Sequence, residues 1–143
     1  MTMDHVGVAV RNLAEAAALL EAALGLAVTE RYDLPREGVR LAFLSAGGTD
    51  LELLEATTDT GPLARYLATR GPGLHHIAFR VPDIEQALRR ASSAGCRPVD
   101  PAPRPGARNR RVAFLHPAST GGMLIELVEY PEGSAGSPGK PPP

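Results

Sequence analysis

Over residues 3–10 the apolar positions keep period two, with Val6, Val8 and Val10 on one face and His5, Gly7 and Ala9 on the other. Gly7 and Ala9 are small, so the His5 face reads as the one with free space. The period then changes. Leu13, Ala16, Ala17, Leu20 and Leu24 form a helical stripe, opened by Asn12 with Glu15 three residues on and closed by Gly25. Residues 26–31, 39–45 and 49–55 return to strand patterning, separated by Pro35, Gly38 and the Gly47-Gly48 turn. This half of the chain therefore predicts the order βαβββ.

The same order recurs. Residues 74–81 predict a strand, Asp83 with Gln86 repeats the helix-opening pair, and Gly95 closes the second helix. Strands follow near residues 98–99, 112–116 and 123–129, with residues 118–122 in the place of the Gly47-Gly48 turn. Each His precedes its helix cap by the same distance, 12 − 5 = 7 and 83 − 76 = 7. Between the copies, residues 62–69 predict a short helix closed by Gly71-Pro72-Gly73. Residues 131–143, rich in Gly, Ser and Pro, cannot form a core and predict disorder. The expected organisation is one unit over 1–130, with module one at 1–56, a connector at 57–73 and module two at 74–130.

The repeat carries chemistry. His5 and His76 open corresponding strands, and Glu52 and Glu126 sit within corresponding apolar strands, at offsets of 76 − 5 = 71 and 126 − 52 = 74. One isolated strand histidine would read as an ordinary hydrogen-bonded residue, and one carboxylate as an exposed charge. Apolar neighbours on both sides of each Glu argue against exposure, because a buried unpaired carboxylate is costly. Two His and two Glu instead suit a six-coordinate divalent ion with two positions left for substrate oxygens. His75 faces opposite to His76 and should pack against the connector. His116, before Pro117, suits a turn hydrogen bond or a substrate contact equally well. Glu55 and Glu129 alternate away from the ligand face and read as surface charges.

Bulk properties narrow the partners. With 15 Lys and Arg against 16 Asp and Glu, no basic field collects nucleic acid or anionic lipid. Aromatic residues make up 4%, too few for a base-stacking platform. The single Cys96 excludes an intrachain disulfide and a cysteine-based zinc cluster. No leader pattern or long apolar run is present, so a soluble, cytoplasmic chain is expected. Arg104, Arg108, Arg110 and Arg111 crowd the loop at 101–109, a density that could hold phosphates or merely be solvated.

The segments His5-Val6-Gly7-Val8-Ala9-Val10, Leu74-His75-His76-Ile77-Ala78-Phe79 and Phe114-Leu115-His116-Pro117, with Gly122-Met123-Leu124-Ile125-Glu126-Leu127, resemble the vicinal oxygen chelate superfamily. Phe114 to Pro117, Gly106 to Arg108 and Gly38-Val39 narrow the resemblance to its methylmalonyl-CoA epimerase family. The resemblance covers residues 3–130. It implies an α+β fold in which two βαβββ modules form a curled, cup-shaped mixed sheet around a divalent metal, cobalt first, with zinc, nickel or manganese as alternatives. It also implies an acyl-CoA substrate whose α-carbon is inverted by 1,1-proton transfer through an enediolate-like anion. Alignment on Gly38-Val39 departs from the family pattern: Arg36 stands where the catalytic Glu belongs, and Glu37 where a Gln belongs. Glu37 can serve as base only if the loop after Pro35 turns it inward, and otherwise Glu126 is the remaining acid. A glyoxalase-type lyase acting on a thiol adduct and a metal-free binding protein of the antibiotic-sequestering kind are the alternatives. A homodimer is expected, since open sheet edges tend to be covered.

Overall fold

The computed structural model describes residues 1–132. From residue 133 on, the tail expected to be disordered lies outside the described residues. The fold is α+β, with two βαβββ modules in tandem. The first comprises β1 (Thr2–Ala9), α1 (Leu13–Leu24), β2 (Val28–Leu34), β3 (Val39–Ser45) and β4 (Asp50–Ala56). After the connector helix α2 (Pro62–Arg70), the second comprises β5 (Gly73–Arg80), α3 (Ile84–Ser93), β6 (Arg104–Pro105), β7 (Arg111–Leu115) and β8 (Ile125–Glu129). By contacts, the chain divides into two compact units, Val6–His75 on the one hand and Met1–His5 with the residues from His76 onward on the other. The divisions fall inside β1 and β5, beside the two histidines, and not between the repeats.

In the Val6–His75 unit, β2, β3 and β4 form an antiparallel meander. α1 lays Leu13 and Ala17 onto Ala42, Leu44 and Leu53, with Val8 and Val10 packed against them. Asn12 accepts a hydrogen bond from Glu15 N (3.0 Å), and Gly25, at φ 69°, ends the helix in the left-handed conformation that an L side chain resists. The valine face of β1 is half-buried, while His5, Gly7 and Ala9 are fully enclosed. The face that carries His5 is thus the more enclosed of the two.

In the other unit, β5 and β8 run parallel, and β7 is antiparallel to both β8 and β6. Ile84 of α3 packs with Val81, Ala113, Leu115 and Leu127. The strand expected at 98–99 reduces to a single bridge, Pro98 to Leu115, and the edge strand forms instead at Arg104–Pro105. Pro98, Pro101 and Pro103 each lack the N–H that a continuous ladder needs.

The repeat extends to strand register. Glu52 lies opposite Phe43 on β3, and Glu126 opposite Phe114 on β7. Glu55 opposes Arg40, and Glu129 opposes Arg111. Moreover, Glu55 Oε2 accepts from Leu13 N (3.0 Å) and Glu129 Oε2 from Ile84 N (2.7 Å), the first residues of α1 and α3. These two carboxylates are thus not idle surface charges, because each satisfies an orphan N–H at the positive end of a helix.

Candidate metal centre

His5 on β1, His76 on β5 and Glu126 on β8 come together within one unit. His5 Nε2 lies 3.0 Å from His76 Nε2 and 3.0 Å from Glu126 Oε2, and His76 Nε2 lies 3.2 Å from the same oxygen. All three residues are buried. The imidazole planes are perpendicular, and Phe114 closes edge-on against His76. Burial pushes the Glu126 carboxyl up, but the two imidazoles at ion-pair distance outweigh it and bring it down to about 2.

These residues fit a divalent cation. Ligand atoms at about 2.1 Å from one ion and at right angles to each other lie about 3.0 Å apart, the spacing of this triangle. Glu126 Oε2 is buried without a hydrogen-bond partner among the described residues, although two ring nitrogens stand at ion-pair distance. Such an orphaned anionic oxygen beside two imidazoles is the donor set a cation satisfies. Glu52 is buried in β4 of the Val6–His75 unit.

A shell behind His5 escaped the sequence reading. Asp4 Oδ2 lies 2.7 Å from His5 Nδ1 and accepts from Arg110 (3.2 Å) and from the Tyr130 hydroxyl (3.3 Å), with Arg110 Nη1 also 3.4 Å from His5 Nδ1. Burial raises the Asp4 carboxyl, yet the His5 hydrogen bond and the charges of His5 and Arg110 hold it below its usual 3.8. Arg110 also donates from Nε to Ala107 O (2.7 Å). The four-arginine cluster is therefore corrected. Arg110 is buried on Asp4 and Arg111 pairs with Glu85 and Glu129, which leaves a substrate role to Arg108 and to Arg104, itself 3.4 Å from Asp100. A buried guanidinium needs an anion, and Asp4 supplies it.

The remaining candidates take distinct places. His75 packs edge-on against Tyr66 of α2, with centroids 4.6 Å apart, as expected for a residue facing the connector. His116 caps a 3₁₀ turn, its Nδ1 accepting from Ala118 N (3.1 Å). Glu37 is exposed in the β2–β3 turn, which is closed by Glu37 N to Leu34 O (3.0 Å) and Gly38 N to Pro35 O (3.2 Å).

A family model described as "Glyoxalase/Bleomycin resistance protein/Dioxygenase superfamily" matches residues 4–114. The chain belongs to this superfamily. Within it, the chain is 37% identical over 129 residues to an ethylmalonyl-CoA/methylmalonyl-CoA epimerase of Cereibacter sphaeroides, covering 89% of this chain and 96% of that one. It is 36% identical over 128 residues to the human mitochondrial methylmalonyl-CoA epimerase, covering 89% and 73%. Among solved members, the methylmalonyl-CoA epimerase of Mycobacterium tuberculosis superposes with a TM-score of 0.85 at 36% identity, covering 91% of this chain and 89% of that one. Another, a methylmalonyl-CoA epimerase in complex with methylmalonyl-CoA and an ammonium ion, also gives 0.85, at 32% identity, covering 93% and 96%.

Proposed function

We propose that the protein is a metal-dependent isomerase that inverts the α-carbon of methylmalonyl-CoA, or a closely related acyl-CoA, by 1,1-proton transfer. The observation that carries the reading is the convergence of His5, His76 and Glu126 in a buried triangle about 3 Å on a side. Glu52 is proposed as the fourth ligand, being the buried counterpart of Glu126. A bound divalent ion supplies Lewis-acid stabilisation of negative charge on the substrate's oxygens, typically worth several kcal/mol. Cobalt is the first candidate, before zinc, nickel and manganese. The similarity to epimerases named for methylmalonyl-CoA supports the substrate class.

Inversion needs an acid or base on each side of the α-carbon. Glu37 and Glu126 are the proposed pair, Glu126 being the carboxylate already at the ion; Glu37 is exposed in its turn, so it takes the proton only where the β2–β3 turn closes over bound substrate. Arg104, whose side chain is 38% exposed, and Arg108 are the arginines assigned to the coenzyme A phosphates, and His116 is assigned a contact with the substrate. A cytoplasmic homodimer completes the reading. Among the described residues no helix is long and apolar enough to cross a membrane.

Deuterium exchange into the α-position of methylmalonyl-CoA, followed by NMR, tests the reaction. Exchange well above a chelator-treated control is expected, and Glu37→Gln should lower it about 100-fold while leaving metal content unchanged. No exchange in metal-loaded protein would turn the assignment toward the glyoxalase-type lyase. Undiminished exchange in the variant would remove Glu37 from the mechanism.

A further inference from the structure

Asp4 places three donors on one oxygen. Its Oδ2 receives His5, Arg110 and Tyr130, while its Oδ1 is buried without a hydrogen-bond partner among the described residues. A carboxylate that served only to neutralise Arg110 would engage the guanidinium fork with both oxygens. Here the shortest contact, 2.7 Å, goes to the imidazole, and the guanidinium gives Asp4 one bond, at 3.2 Å, from an Nη1 that stands farther, 3.4 Å, from His5 Nδ1. The device belongs to one module only. At the corresponding place before His76 stands His75, whose ring packs on Tyr66. Neither the repeat nor the fold therefore requires an acid at position 4.

We propose that Asp4, clamped by Arg110 and Tyr130, is a positioning residue that holds His5 in its Nδ1-protonated tautomer and turns the Nε2 lone pair toward His76 and Glu126. Once neutral, the imidazole carries one ring proton, for which Asp4 at 2.7 Å from Nδ1 competes with Glu126 at 3.0 Å from Nε2, and the shorter contact draws it to Nδ1. Nε2 is then a ligand atom in advance of any cation, and the ring cannot swing, because Asp4 is itself pinned from two directions. Arg110 is pinned in turn by its bond to Ala107 O. Carboxylates that orient a ligating imidazole in this way typically change metal affinity 10- to 100-fold when altered. The inference rests on the metal-centre reading for its purpose, but not for its geometry.

The tautomer is read by long-range proton–nitrogen NMR on metal-free protein labelled with ¹⁵N, at mildly alkaline pH. The wild type should carry the His5 proton on Nδ1. In Asp4→Asn the amide can give its carbonyl to Arg110 and its NH₂ to Nδ1, which moves the proton to Nε2. Affinity for Co²⁺, measured against a competing chelator, should fall 10- to 100-fold in that variant. A wild-type proton on Nε2, or an Asp4→Asn variant with unchanged tautomer and affinity, would overturn the inference. A tautomer that switches as described in Asp4→Asn, while the wild type binds no divalent metal, would leave the positioning role standing and sink the metal reading instead. Should Asp4→Asn fail to fold, the wild-type spectrum decides.

Discussion

Tyr130 is the residue at which alkaline pH should reach the structure behind His5. Burial is the first cause raising its hydroxyl above the ordinary 10.0, with the Asp4 charge adding to it and Arg110 and Arg108 pulling the other way. A folded value above the unfolded one means that the native state holds this proton more tightly. The corresponding stability is fully present below pH 10.0 and is lost as pH rises through the folded value. Phenolate absorbance of the wild type minus that of Tyr130→Phe should therefore show a midpoint above 10.0, and urea midpoints should fall less steeply in the variant beyond that pH. A midpoint at or below 10.0 would contradict the burial argument. The two histidines were legible in the sequence because their strands repeat at a fixed offset. Asp4 was not, because its role is set by Arg110, 106 residues away, and by Tyr130, 126 residues away. No local pattern carries that information.

At the scale of elements, the repeat was legible wherever local chemistry decides. Asn12 and Asp83 both cap their helices through side-chain oxygens, and β3 occupies the residues expected between Gly38 and the Gly47-Gly48 turn. It failed where tertiary contacts decide. Glu55 and Glu129 alternate away from the ligand face as expected, yet each reaches the first N–H of a helix, a contact that only the packing of α1 near β4 and α3 near β8 creates. The signal was present as a second pair of glutamates at the offset of 74, and a surface reading passed over it. Replacing Glu55 or Glu129 by Ala should each cost about 1 kcal/mol, as loss of a helix cap does. Glu129 also bonds Arg111 (3.1 Å), but that pair is partly solvated and adds little. Urea unfolding measures both effects, and a change below a few tenths of a kcal/mol would return these glutamates to the status of surface charges.

For the whole molecule, the consequential fact is that β1 is one strand shared by two compact units. His5 closes the first and Val6 opens the second. Three of the proposed ligands, His5, His76 and Glu126, lie in the first unit, and Glu52 lies in the second. A ligand that binds only the native state stabilises it by about 2.7 kcal/mol at 100 times its dissociation constant. Where that stabilisation appears depends on which segments the ion holds. If Glu52 is the fourth ligand, cobalt should slow amide exchange in β4 as well as in β5 and β8, since local opening of β4 would then break a metal bond. Glu52→Gln should keep the slowing in β5 and β8 and lose it in β4. Hydrogen exchange read by mass spectrometry at peptide resolution separates these outcomes. Wild-type β4 exchanging at one rate with and without cobalt would reduce the ligand set to His5, His76 and Glu126, and would confine the centre to one unit.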